Sequence, residues 1–147
     1  MIQENNNKKR DLFIVAGGSR LGANIASTMS KHKKNVTLID LDPRAFRKLH
    51  PDYSGYTVEG DASDISVLEQ AGIDRACVVI AATDDDNTNI MISQMAKAVF
   101  EVPNVIARLY SPEIEGIGGL NGALIVYPYK LSVGVIEQML RERGCIK

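Results

Sequence analysis

Tryptophan is missing from the 147 residues, aromatic side chains amount to 5%, and cysteine and histidine occur only twice each. Two cysteines cannot build a multi-bridge framework; Cys77 lies inside an apolar run and reads as an inert core thiol, while Cys145 sits beside the C-terminus. His32 and His50 fall near the ends of expected helices with no Cys, Asp or His at ligand spacing, which argues against a metal centre. An excess of charge of one sign is also lacking. Seventeen basic against eighteen acidic side chains leave a net charge of -1, so no broad field draws nucleic acid or an anionic membrane surface. Local phosphate binding stays open. The apolar run Ala76–Ala82 is far shorter than the roughly 20 residues that cross a bilayer, and the polar N-terminus carries no signal-peptide core, so the expected location is cytoplasmic.

What is present begins at Leu12-Phe13-Ile14-Val15-Ala16, an apolar run that stops at Gly17-Gly18-Ser19-Arg20-Leu21-Gly22 and passes into an amphipathic helical pattern over residues 20–33. A strand that turns sharply into a helix aims several unpaired N–H groups, backed by the helix dipole, at one point where a phosphate can sit. The spacing is that of a dinucleotide-binding G-x-G-x-x-G loop with Ser19 in place of the middle glycine. Leu21, Ile25, Thr28 and Met29 form the helix face expected to cover a sheet. The second strand, Asn35–Asp40, ends in an acid 23 positions after Gly17, where a carboxylate reaches the hydroxyls of an adenosine ribose. That geometry favours NAD(H) or another adenosine ligand without a 2′-phosphate, although Arg44 is near. Asp40 and Asp42 also suit the start of the short helix at Pro43, and the two roles are compatible.

Further along, Tyr56–Gly60 reads as a third strand that points to Asp61-Ala62. Asp61 is placed either to recognise an adenine edge or, like Ser63, to cap a helix over residues 64–71. The run Ala76–Ala82 is a parallel strand covered on both faces. Asp84, Asp85 and Asp86 after Thr83 suit a helix start, and Ile90, Met91, Met95 and Ala98 are the expected packing face of residues 87–100. Arg108 closes a fifth strand, Asn104–Leu109, where a buried guanidinium needs either a salt bridge or a ligand. Ser111 to Glu115 suit a proline-first helix broken by Gly116 to Gly119, Ala123–Val126 a sixth strand, and residues 129–143 a final helix striped by Leu131, Val135, Ile136, Met139 and Leu140. That stripe either closes the monomer or docks on another subunit. The sum is an α/β fold, a Rossmann-like doubly wound six-stranded parallel sheet with flanking helices and a C-terminal crossover-type helix. It occupies residues 11–143, after a flexible lead-in 1–10 and before a short tail 144–147.

No catalytic set accompanies this scaffold. The aspartates at 84–86 are explained by a helix start, Tyr127 and Tyr129 lack a lysine partner, and no serine has a histidine-centred constellation. Binding and switching therefore fit better than turnover. The alternative is a small NAD-dependent oxidoreductase or cofactor-handling domain whose substrate site comes from another chain.

The ordered set Ile14-Val15-Ala16-Gly17-Gly18-Ser19-Arg20-Leu21-Gly22, Leu38-Ile39-Asp40-Leu41-Asp42, Val58-Glu59-Gly60-Asp61-Ala62, Val79-Ile80-Ala81-Ala82-Thr83 with Asp86 and Asn89, and Ile106-Ala107-Arg108 resembles the nucleotide-binding lobe of bacterial and archaeal Trk/Ktr potassium-transport regulators, the RCK or KTN (TrkA-N) domain. The resemblance implies that Gly17, Gly18, Ser19, Arg20, Leu21 and Gly22 surround the phosphates of NAD, NADH, ATP or ADP. It makes Asp40 the ribose acid, Asp61 and Ala62 the adenine side, Thr83 part of the loop near the distal end of the ligand, and Arg108 a residue that holds phosphate or connects subunits. It also implies a homo-oligomer, a dimer or an octameric ring, that sits at the inner face of the membrane against a potassium transporter or channel subunit. The final helix would then be an intersubunit crossover. Ser19 departs from the family's glycine where phosphate approaches most closely, which bears on ligand preference and keeps a structural ring component as a third reading.

Overall fold

The computed structural model describes residues 9–112 and 122–147. Six strands, β1 (Leu12–Ala16), β2 (Asn35–Asp40), β3 (Tyr56–Glu59), β4 (Ala76–Ala81), β5 (Asn104–Arg108) and β6 (Leu124–Val126), form one sheet in the order β3-β2-β1-β4-β5-β6. Every neighbouring pair is parallel. The order reverses between β1 and β4, and in an open parallel sheet that reversal leaves a crevice at the carboxyl ends of the strands. The doubly wound six-stranded sheet expected from the sequence is thus the observed one.

Successive strand residues face opposite sides, so β1 feeds two cores. On one side Ile14, Ile39, Leu68, Val79, Ile92 and Val105 pack together beneath helices α2 (Ile65–Gln70) and α3 (Asp86–Gln94). On the other, Val15, Val36, Leu38 and Ile80 meet Ala26, Ile25 and Met29 of helix α1 (Arg20–Lys31). Helix α4 (Pro128–Glu142) follows β6 and buries no residue.

Several expectations shift. The face α1 buries is Gly22, Ala23, Ala26 and Ser30, while Thr28 is exposed and Leu21, Ile25 and Met29 are half-buried. Small side chains let the helix axis approach the sheet, so the largest apolar residues flank the contact. The packing face of α3 differs in the same way: Asn89, Ile92, Ser93 and Ala96 are buried, and Met91 and Ala98 are exposed. The helix also widens into a π turn at Met95–Val99. Neither Asp61 nor Ser63 caps α2; the cap is Asp64, whose carboxylate accepts from Ser66 N–H at 2.9 Å. Asp85 caps α3 by accepting from Thr88 N–H at 2.8 Å, whereas Asp84 turns toward β5.

Within the expected lead-in, residues 1–8 lie outside the described ones, and Arg10 donates to Ala76 O at 3.0 Å and Phe100 O at 2.9 Å. Of the helix start expected at Ser111, only Ser111 and Pro112 are described; the rest and its glycine break likewise lie outside the described residues from Glu113 onward. At the other end, Gly144 and Cys145 N–H groups donate to Arg141 O and Leu140 O, which closes α4.

Candidate functional site

The crevice is built where β1 stops. Gly17 has φ +107°, and a Cβ there would lie 2.6 Å from Thr83 N and 2.7 Å from the Ala82 carbonyl, so only glycine lets the chain turn this close to β4. Gly22, the first buried residue of α1, rests directly on the Gly17 carbonyl oxygen and has no room for a Cβ. Between them Ser19 caps the helix: its hydroxyl accepts from Gly22 N–H at 3.1 Å and donates to Ala82 O at 2.8 Å. The serine thus ties the loop to the end of β4. The first N–H groups of α1 have no acceptor within the helix and carry the positive end of its dipole.

Asp40 ends β2 beside this loop. One carboxylate oxygen accepts from Gly18 N–H at 2.7 Å and the other from Asp42 N–H at 2.8 Å. Lys48, on the 3-10 helix Pro43–Lys48, donates to Gly18 O at 3.1 Å. Loop, acid and lysine form one hydrogen-bonded unit. Asp42 caps the 3-10 helix by accepting from Arg44 N–H at 2.9 Å, and the Arg44 guanidinium grips its carboxylate through Nε and Nη2 at 2.8–3.1 Å. That grip holds the Asp42 carboxyl below its usual value.

Two clefts meet at Asp40. One, of about 410 Å³, is lined by Gly18, Ser19, Asp40, Asp42, Arg44, Ala45, Lys48 and Asp84. The other, of about 150 Å³, is lined by Gly17, Ile39, Asp40, Leu41, Gly60, Asp61, Ala62 and Thr83. The first offers the cations of Arg44 and Lys48 beside three carboxylates, at the cap of α1. The second offers apolar walls with two carboxylates, Asp40 and Asp61, and Asp61 Oδ1 already accepts from Ser63 N–H and Oγ. A larger cleft of about 560 Å³ lies on the outer side of α1 and shares only Lys48 with the crevice; volume alone gives it no claim over the loop's chemistry.

The remaining sequence-selected residues stand apart. Arg20 is exposed and Leu21 half-buried, and neither lines these clefts. Arg108 has a side chain only 7% exposed, and its Nη2 donates to Ala82 O at 3.1 Å, Thr83 O at 2.8 Å and Asp84 Oδ1 at 3.1 Å. The guanidinium also stacks 5.0 Å from the Tyr110 ring centroid. Arg108 therefore underpins the end of β4, and a salt bridge to Asp84 is formed.

Asn89 and Lys48 were not singled out from the residues themselves. Asn89 is fully buried; its Oδ1 accepts from Thr83 N–H at 2.9 Å and Thr83 Oγ1 at 2.6 Å, and its Nδ2 donates to Thr83 O and Arg108 O. Asp86 accepts from the N–H groups of Tyr110 and Ser111, both at 2.8 Å. Thr83, Asp86 and Asn89 together bolt the ends of β4 and β5 to α3. Among the described residues, no group of three or more His, Cys, Asp or Glu gathers to hold a metal, and no helix is long and apolar enough to cross a membrane.

A doubly wound parallel sheet with a glycine loop, a β2 acid and a crevice at the strand-order reversal defines a nucleotide-binding α/β domain of the Rossmann class. More particularly, residues 13–126 match the TrkA-N domain, and the chain belongs to that family. TrkA-N domains are regulatory nucleotide-binding modules, not dehydrogenases. The chain is 35% identical over 100 residues to a Trk system potassium uptake protein TrkA of Streptomyces coelicolor, covering 68% of this chain and 45% of the relative. It is similar to the crystal structure of GsuK bound to ADP, with TM-score 0.74 and 26% identity, covering 93% of this chain and 35% of that one. The fold is shared with the TrkA-N domain of the inner membrane protein ybaL from Escherichia coli, with TM-score 0.78 and 16% identity, covering 88% of this chain and 96% of that one. The chain thus spans less than half the length of the TrkA relative.

Proposed function

We propose that the chain is the nucleotide-sensing domain of a potassium uptake regulator and binds NAD(H), ATP or ADP across the carboxyl edge of the sheet. The observation that carries this reading is the pair of clefts meeting at Asp40. The larger brings Arg44 and Lys48 together with Gly18 and the α1 cap Ser19, which suits phosphates; the smaller brings Leu41, Asp61 and Ala62 together, which suits an adenine. The GsuK structure bound to ADP and the potassium uptake role of the TrkA relatives support it. Gly17, Gly18, Ser19 and Gly22 shape the phosphate turn, Arg20 and Leu21 contribute the first helical N–H groups, and Asp40 accepts the ribose hydroxyls. Thr83 borders the adenine-side cleft and Arg108 acts from beneath.

The domain works as a homo-oligomer on the cytoplasmic face of a membrane potassium transporter, with α4 as the joint between subunits. A nucleotide moves such an assembly only by binding its two states unequally. Calorimetry with ADP, ATP, NAD, NADH and NADP tests the site: micromolar binding by at least one is expected, and silence from all five removes the reading. Nucleotide-dependent potassium flux through a reconstituted transporter tests the coupling.

A further inference from the structure

We propose that Asp42 sets the site's preference for a free ribose 2′-hydroxyl by keeping Arg44 occupied. The inference rests on the nucleotide reading above and adds a selectivity device to it. Asp40 has both carboxylate oxygens turned to the loop and to Asp42 N–H, so the ribose edge of the cleft is marked by a fixed negative charge. A 2′-phosphate arriving there brings close to two more negative charges. Arg44 is the cation on the same 3-10 turn, but three side-chain hydrogen bonds of 2.8–3.1 Å commit its Nε and Nη2 to Asp42. A 2′-phosphate meets in Arg44 only the Nη1 edge of a guanidinium whose charge Asp42 already offsets, and full engagement of the fork leaves Asp42 as a second unpaired acid beside the ligand. The cleft's lining otherwise holds Asp84 and Lys48, and Lys48 is turned to Gly18 O while Asp84 is paired with Arg108. No spare cation is therefore in place for the extra phosphate among the described lining residues.

Asp42→Asn separates this role from the structural one. Asparagine caps a helix as well as aspartate does, so the 3-10 turn keeps its N-cap, while the charge that detains Arg44 is gone. Calorimetry compares AMP with adenosine 2′,5′-bisphosphate, which differ only in the 2′-phosphate. The wild type is expected to favour AMP. In Asp42→Asn the affinity ratio moves toward the bisphosphate by about tenfold, the size of one charge-assisted hydrogen bond. Asp42→Asn with Arg44→Gln returns the ratio to the wild-type value, because the freed guanidinium is the agent. A ratio unchanged within about threefold in Asp42→Asn, or a shift that persists in the double variant, overturns the assignment; threefold is under 1 kcal/mol and within the scatter of such comparisons. Failure of the wild type to bind either ligand is a separate result that removes the nucleotide reading and this inference together.

Discussion

Helices α1 and α4 are both amphipathic, yet among the described residues only α1 buries a face against the sheet. Over 12 residues α1 buries Gly22, Ala23, Ala26 and Ser30 against the sheet and the phosphate loop. Over 15 residues α4 buries nothing, and Leu131, Val133, Val135, Ile136, Met139 and Leu140 are each 40–64% exposed. The difference is one of side-chain size. A contact built of small residues brings backbone to backbone, as Gly22 does against the Gly17 carbonyl. A stripe of large aliphatic residues specifies only that something apolar must cover it, and full burial of one such residue is worth about 1.5–3 kcal/mol. In the proposed oligomer α1 thus holds the ligand and α4 holds the neighbour.

One substitution made in both helices breaks the comparison most severely. Gly22→Ala drives a methyl group into the Gly17 carbonyl, so helix and loop must part; a loss above about 4 kcal/mol is expected in urea unfolding, the range reached only by serious core defects. Gly134→Ala meets nothing within 4 Å and gains about 0.5–1 kcal/mol from helix propensity. Losses of similar size at both positions would mean that α4 is covered within the chain after all.

The next effect belongs to α4 alone. Ile136→Glu places a charge in the middle of the stripe and should weaken self-association about a hundredfold, near 3 kcal/mol, by sedimentation velocity. The unfolding midpoint of the dissociated chain should barely move, since Ile136 is 56% exposed there. A destabilised fold with intact association would reverse the roles given to the two helices.

At the ligand end of α1, Asp40→Asn should weaken ADP or NAD binding about tenfold, one charge-assisted hydrogen bond, while Gly134→Ala leaves it alone. The fold pays part of this loss as well, because the Asp40 carboxylate accepts from both Gly18 and Asp42 N–H. Asp40→Ala should therefore lower stability as well as affinity. Spacing in the chain nominates Asp40 for a ribose but carries no sign that it also holds the loop.

The legible and illegible parts divide along the same line. Glycine positions, apolar strand runs and the acid at the end of β2 are local signals, and they sufficed for the doubly wound parallel sheet and for bringing Gly17, Gly18 and Asp40 together at its carboxyl edge. The phases of α1 and α3 were not legible, because hydrophobicity pointed to Leu21 and Met91 whereas Ala23, Ala26, Asn89 and Ser93 make the contacts. That Asp64, and not Asp61 or Ser63, caps α2 was not legible either, because the three residues carry the same turn chemistry within four positions and spacing does not choose among them. The Lys48 bond to Gly18 O, the Ser19 bond to Ala82 O and the Arg108 clamp on β4 span 24 to 63 residues, and no local pattern encodes a distance between elements so far apart in sequence.

The smallest effect reports on the α1 side only. Tyr53 packs against the same core cluster as Ala26, and its hydroxyl donates to Tyr56 O at 2.7 Å. Burial pushes its ionisation up to about 12 from an ordinary value near 10. Above pH 10 the unfolded chain releases this proton before the folded protein does. The stabilising contribution is thus complete below pH 10 and lost as pH climbs through 12. Tyr53→Phe removes the hydroxyl bond, at about 1 kcal/mol near neutral pH, and removes the alkaline slope with it. The stability gap between wild type and variant should therefore close between pH 10 and 12, while Ile136→Glu, on the opposite helix of the comparison, should leave that slope unchanged. A gap constant across this window would show that the phenol is no less hydrated in the folded protein than in the unfolded chain, and the α1 side would be looser than its packing implies.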